Sequence, residues 1–268
     1  MANSIRHAAV AGMFYPGNPT ELHDTVQSML DHASISIEKL PKAIIVPHAG
    51  YIYSGPVAAS AYALFREKSQ HIKRIVLLGP SHRVALRGLA TSHAQFFETP
   101  LGQIPLASPI IQQLENFTQV QYLEAAHFEE HSLEVHLPFL QMVVDDFELI
   151  PLVVGDASPA EVSEVLRYLW GGEETLIVVS SDLSHYHDYR TARDLDSATT
   201  HAIETLNYQN IGYEDACGRN PVSGLLALAQ ELNMEVYTLD VRNSGDTSGI
   251  KDRVVGYGAY ALLESNIQ

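Results

Sequence analysis

Three apolar runs in this chain end in the same way. Lys42 to Gly55 reads KAIIVPHAGYIYSG, Arg74 to His82 reads RIVLLGPSH, and Thr175 to His185 reads TLIVVSSDLSH. Each is a continuous Val/Ile/Leu stretch without polar alternation, the pattern of a strand buried on both faces in a helix-covered parallel sheet. Each then passes into small or turn-forming residues and delivers a histidine: His48, His82 and His185. Side chains just beyond the carboxyl ends of such strands line the crevice where open α/β sheets bind ligands. If the strands are neighbours the imidazoles converge, and converging imidazoles point to a metal or a general base.

The intervening pattern alternates with these runs at helical period. Asn18, Pro19 and Glu21 make a helix start, with Leu22, Val26, Met29 and Leu30 on one face. Gly55 to Glu67 predicts a second helix through Val57, Ala61, Leu64 and Phe65, completing a βαβ unit that brings His48 and His82 to one edge. Arg83 to Pro105 is irregular and suits a hairpin excursion between the turns at Gly88 and Gly102. Ser108 to Asn116 predicts a short helix, and Ala126 to Val144 a longer one that starts near Ser132, with Leu133, Leu137 and Leu140 as its stripe and Pro138 as a kink. Phe147 to Val154 reads as a further buried strand; Ser158, Pro159 and Glu161 open a helix that Trp170, Gly171 and Gly172 close. A helix from about Tyr189 to Leu206, a cap at Asn220 before Pro221, and strands at Glu235 to Asp240 and Val254 to Leu263 complete the chain. Asn243 to Gly249 forms a polar loop between those strands. With no linker, repeat or low-complexity tract, the pattern predicts a single α/β domain over residues 1–268, its central sheet mainly parallel or mixed and flanked by helices.

Composition narrows the function. Of 268 residues 46% are hydrophobic, enough for a sizeable core, and the net charge of −16 opposes a phosphate backbone. Nucleic acid is therefore not an expected partner. Cys217 is the only cysteine, so no intrachain disulfide forms. The opening MANSIRHAAV lacks the pattern of a signal peptide, and no apolar run reaches the roughly 18–20 residues of a membrane span. The expectation is a cytoplasmic protein without membrane association. Thirteen histidines are many, but isolated ones such as His32, His71 and His201 suit solvated positions.

Two histidines from different strand ends plus a thiolate or carboxylate make a three-ligand site with open coordination positions. Cys217, Asp182 and Glu130 are the candidates for the third ligand. A thiol near a helix amino terminus, beside metal and imidazole, ionises easily, although a lone cysteine also suits a small buried apolar role. Asp182 and His185 lie three apart and can act together, with His187 and Asp188 as a competing pair. His127 to His131 reads HFEEH, the H-x-x-E-H pattern of one zinc-protease class, which requires both histidines on one regular helix. No dinucleotide or P-loop fingerprint is present, and GPSH lacks the second glycine of a nucleophile elbow, which leaves Ser81 a turn residue.

Taken together, AVAGMFYP, PHAGYIYSG, LLGPSH, EEHSLEVHLPFL, SSDLSHY and the late ACG resemble the Memo family in the expected order, and VVGYGAY adds to the likeness. The family is similar in fold to class III extradiol ring-cleaving dioxygenases, which hold iron on two histidines and a glutamate and use another histidine as acid/base. The resemblance implies His48, His82 and Cys217 as metal ligands, His185 as acid/base with Asp182 beside it, and Phe14, Tyr53, Glu130 and His131 lining the pocket. Cys217 stands where the dioxygenases use glutamate, and a softer thiolate admits copper(I) or zinc as well as iron(II). The implied function is redox or oxygen-dependent chemistry at one transition-metal ion on a small-molecule substrate. A non-catalytic cleft that binds a peptide or partner protein, and a metal-assisted hydrolase, are the alternatives. The resemblance also implies a functional association with AMMECR1-like and radical-SAM proteins.

Overall fold

The computed structural model of the chain describes residues 4–34, 37–66, 68–247 and 249–265. Strand β1 (Ile5–Arg6) leads to helix α1 (Pro19–His32), strand β2 (Ala43–Val46), helix α2 (Tyr51–Tyr62) and strand β3 (Arg74–Pro80). The middle of the chain carries β4 (Leu89–Thr91), β5 (Phe96–Thr99), β6 (Gly102–Pro105), α3 (Ser108–Gln113), β7 (Val120–Tyr122), α4 (Glu124–Phe128), α5 (Leu137–Val143) and β8 (Glu148–Val154). It ends with α6 (Pro159–Leu169), β9 (Thr175–Ser180), β10 (His185–His187), α7 (Tyr189–Glu204), α8 (Arg219–Glu231), β11 (Glu235–Asn243), α9 (Ser244–Thr247) and β12 (Val254–Leu263).

The larger sheet is ordered β10-β12-β2-β9-β3-β8-β4-β7, with β11 also paired to β12. β2, β9, β3 and β8 run parallel. β12 joins β2, and β4 joins β8, antiparallel. The sheet is therefore mixed around a parallel centre. Every residue of β2 and β9 is buried, so both faces of that centre are covered. α8 packs on β3, β9 and α6, while α2 packs on β2, β12 and α1. The inward face of α1, Leu22, Val26 and Leu30, is at most 3% exposed, and each such side chain contributes about 1.5–3 kcal/mol of burial.

Local chemistry places the helix ends as the sequence predicts. The Asn18 side chain accepts the amides of Thr20 and Glu21 at 3.0 and 3.1 Å. At α6, Ser158 Oγ accepts the Glu161 amide while the Glu161 carboxylate accepts the Ser158 amide at 2.8 Å, a closed capping box. The predicted hairpin is β5 with β6, part of a separate three-stranded sheet with β1. No helix among the described residues is long and apolar enough to cross a membrane.

The structure corrects several boundaries. α2 begins at Tyr51, inside PHAGYIYSG, and ends at Tyr62, followed by a tight turn through Phe65; Glu67 lies outside the described residues. The helix predicted to start near Ser132 begins only at Leu137 as α5, after a short 3₁₀ turn at Glu134–His136, and the start of the Ala126 to Val144 stretch belongs instead to α4, which ends at Phe128. Pro138 falls in the first turn of α5, where a missing N–H is harmless, and produces no kink. α8 starts two residues earlier than the Asn220 cap predicts, with Gly218 at the cap. The polar stretch after β11 contains α9, and its Ser248 lies outside the described residues. The short strands β7 and β10 carry too little pattern to be read in advance.

Sheet order has one consequence for the site. β9 lies between β2 and β3, so the three predicted strands are adjacent and their carboxyl ends stand in a row. The histidines that follow them are thereby brought to one edge.

Candidate metal centre

His48 follows Pro47 at the end of β2. Its amide donates to Asp182 Oδ1 at 2.7 Å, which ties this loop to the one leaving β9. Its side chain is buried, with Nδ1 2.5 Å from Ser180 Oγ, the last residue of β9. The ring stands edge-on to those of His82 and His131, at centroid distances of 5.1 and 5.4 Å.

His82 is fixed by Glu130, which reaches in from the loop between α4 and α5. The carboxylate accepts the His82 amide at 2.6 Å, lies 2.8 Å from His82 Nδ1, and accepts the amides of His131 and Ser132 at 3.0 Å. Burial works to raise its pKa, but the hydrogen bonds and charge of His82 and the amides outweigh it and hold the carboxyl at about 2. An ionised carboxylate only accepts, so His82 donates through Nδ1, and in the neutral ring Nε2 is then the lone pair. His131 stacks on His82 at 4.7 Å and also packs against Phe14, with the ring centroids 4.8 Å apart and the planes tilted by 51°.

One ligand atom from each of His48, His82 and His131 lies within 4.8 Å of the other two, a cluster able to hold a metal ion. Burial first, and the neighbouring imidazoles second, push the His48 pKa well below the usual histidine range and bring His131 down to about 4. At neutral pH both rings are uncharged and their lone pairs are available.

Cys217 enters from the turn before α8. Its Sγ lies 3.3 Å from His48 Nε2 and accepts the Asp182 amide at 3.3 Å. Gly218 makes this approach possible, because a Cβ there would stand 2.4 Å from the Ser180 carbonyl oxygen. Burial and the nearby Asp182 push the thiol pKa up, so the sulfur keeps its proton. A single ion with metal–sulfur and metal–nitrogen bonds of about 2.3 and 2.1 Å at a tetrahedral angle separates S from N by about 3.6 Å. The observed spacing is within a few tenths of an ångström of that, although the three-residue cluster gathered among the described residues is His48, His82 and His131 and does not include Cys217.

Asp182 is buried, and burial raises its pKa to about 7 against the opposing pull of the His48 and Ala49 amides. Its hydrogen bonds go to the His48 loop. His185 opens β10, opposite Val255 of β12, and burial lowers its pKa, with His82 among the charges it senses. Tyr53 sits in the first turn of α2 and is 38% exposed at the surface. Asp188 is the amino-terminal cap of α7, accepting the amides of Arg190 and Thr191.

His127 and His131 do not share a regular helix. His127 is buried in α4 with Nε2 3.1 Å from the Ala90 carbonyl oxygen, and the chain leaves the helix before His131. The two-histidine helix that H-x-x-E-H needs is therefore not formed. Two further groups escaped the sequence reading. Ser180 and the buried His136 stand behind His48, with His136 Nε2 2.8 Å from Ser180 Oγ. Tyr257, in the VVGYGAY stretch, is a buried phenol whose pKa is raised by burial and by Asp182, Tyr53 and Tyr186. The glycine alternation around it was the available signal.

The family model described as Memo-like protein matches residues 6–261. A MEMO1 family protein of Saccharolobus solfataricus is 35% identical over 280 residues, covering 94% of this chain and 97% of that protein. A MEMO1 family protein of Sulfolobus acidocaldarius is 34% identical over 278 residues with the same coverages. Among solved structures, that of an uncharacterized protein from Escherichia coli K12 superposes with a TM-score of 0.55 at 15% identity, covering 84% of this chain and 100% of that one, a likeness of fold alone.

Proposed function

The chain belongs to the Memo-like family, and on that premise we propose that its histidine cleft is a mononuclear transition-metal site used for redox or oxygen-dependent chemistry on a small molecule. The observation that carries this reading is the 3.3 Å contact between Cys217 Sγ and His48 Nε2 beside the imidazole cluster. In it His48, His82 and Cys217 hold the ion, and His131 lines the pocket with Phe14, Tyr53 and Glu130. A bound iron or copper ion supplies one-electron chemistry and a position for oxygen or substrate.

The chain's own residues contribute the rest. Glu130 keeps His82 oriented through Nδ1. Burial of the His48 ring keeps bulk water from its nitrogens. His185, lowered in basicity by burial, is a neutral imidazole at pH 7 able to take a substrate proton. Asp182, titrating near 7, stands beside the sulfur as a second proton carrier.

The test is metal analysis of protein purified without oxygen, with titration by iron(II), copper(I) and zinc(II). About one ion per chain is expected, lost in His48→Ala and Cys217→Ala and retained in His131→Ala. Folded wild-type protein that binds no transition metal more tightly than the first two variants overturns the proposal. Oxygen consumption with a panel of catechols and other reductants, compared with His185→Ala, separates turnover from a cleft that only binds.

A further inference from the structure

Three groups meet at the Ser180 hydroxyl. Its Oγ lies 2.7 Å from the Ser132 carbonyl oxygen, 2.5 Å from His48 Nδ1 and 2.8 Å from His136 Nε2. All of these groups are buried, with Ser180 at 0%, Ser132 at 0% and His136 at 1% exposure, so no solvent hydrogen resolves the count. A hydroxyl has one hydrogen and two acceptor lone pairs, and a carbonyl oxygen accepts only. The Ser180 hydrogen therefore goes to Ser132, and both imidazole nitrogens must be donors. The remainder of the geometry agrees. His136 Nδ1 has no hydrogen-bond partner, which is tolerable for a bare lone pair and costly for a buried N–H. On His48, the other nitrogen faces a sulfur whose own proton can be donated to it.

We infer that Ser180 is a positioning residue that locks His48 in the Nδ1–H tautomer, presenting its Nε2 lone pair to the cleft, with His136 as the buried second donor that holds the hydroxyl in place. A hydroxyl free to turn can give its hydrogen to His48 Nδ1 instead, which would place a hydrogen on Nε2 and close that nitrogen to any ion. Donation to Ser132, shared with the His136 N–H, removes that choice. Outer partners of this kind govern metal affinity by fixing tautomer and ring orientation. The affinity consequence rests on the metal-site reading, whereas the tautomer itself does not.

The experiment has two arms. Long-range ¹H–¹⁵N correlation spectra of histidine-labelled, metal-free wild-type protein report each tautomer directly, with His48 and His136 identified by the signals lost in His48→Gln and His136→Gln. The expected result is Nδ1–H for His48 and Nε2–H for His136; an Nε2–H signal for His48 overturns the inference. In the second arm, zinc(II) affinity is measured by chelator competition for Ser180→Ala and Ser180→Thr. Loss of the hydroxyl is expected to weaken zinc binding by about 10–100-fold and to move the His48 signal toward Nε2–H, with Thr restoring both. A folded Ser180→Ala that binds zinc as tightly as wild type overturns the inference as well. If wild-type protein itself binds no zinc, the metal-site proposal fails while the tautomer spectrum still decides this one.

Discussion

His127→Gln is expected to reduce the destabilisation between pH 8 and pH 5 by about 2 kcal/mol relative to wild type. Burial lowers the His127 pKa from 6.5 to about 4. Below pH 6.5 the unfolded chain therefore takes up a proton here that the folded chain refuses, and stability falls as pH drops from about 7 toward 4. At pH 5 the unfolded form is about 1.5 pH units below its pKa while the folded ring is still neutral, which at 1.36 kcal/mol per unit gives about 2 kcal/mol. Asp182 acts with the opposite sign. Its pKa is raised from 3.8 to about 7, so its contribution is full below about 4 and is lost as pH rises through 7. The wild-type profile mixes these effects, and the difference between wild type and variant isolates His127. Glutamine keeps a donor for the Ala90 carbonyl that Nε2 now faces at 3.1 Å. Urea unfolding at pH 5 and pH 8, at equal ionic strength and in the presence of chelator, gives the double difference. Equal pH dependence in the two proteins would show that His127 takes up its proton as readily folded as unfolded, and would refute the reasoning.

Two further outcomes follow from other buried groups. Glu134 accepts the Ala9 and Val10 amides at 2.8 and 2.9 Å, the Tyr15 hydroxyl at 2.6 Å and the Arg6 guanidinium. Glu134→Gln leaves Arg6 buried without its counter-charge and should destabilise by about 3–5 kcal/mol in urea unfolding; a loss below about 1 kcal/mol would mean the pair is solvated. Zinc uptake at pH 6 should release between one and two protons, from the Cys217 thiol and in part from Asp182, and affinity should rise from pH 6 to pH 8. Calorimetry in buffers of different ionisation enthalpy counts them, and uptake without release would exclude the thiolate ligand.

Much of this architecture is legible along the chain. Continuous apolar runs announce β2, β3 and β9, because strands buried on both faces leave no polar alternation. The caps at Asn18 and Ser158 are local chemistry and appear where their residues stand. What is not local is less legible. That β9 lies between β2 and β3 is a property of crossovers, and nothing in any one strand encodes it. HFEEH has the residues of a helical ligand pair, yet α4 ends between its histidines and sends His127 to Ala90 and His131 to the cleft. Ser180 gave no signal beyond that of a turn residue, since its role depends on His136 and Ser132 arriving from another loop.

The cleft is organised by two buried carboxylates that each hold a neighbouring loop. Glu130 accepts the backbone of His82, and Asp182 accepts the backbone of His48. Their environments differ in the number of donors they offer. Glu130 gathers a ring nitrogen and the amides of three residues and stays ionised, so the charge beside His82 is permanent above about pH 2. Asp182 has the His48 and Ala49 amides against a greater desolvation and sits near its titration point at neutral pH. One loop is thus anchored by a fixed charge and the other by a charge that responds to what enters the cleft. A cation bound between His48 and Cys217 would favour the ionised form of Asp182, whose amide donates to that same sulfur. The His48 amide would then donate to a charged rather than a neutral carboxylate, which is the stronger of the two hydrogen bonds.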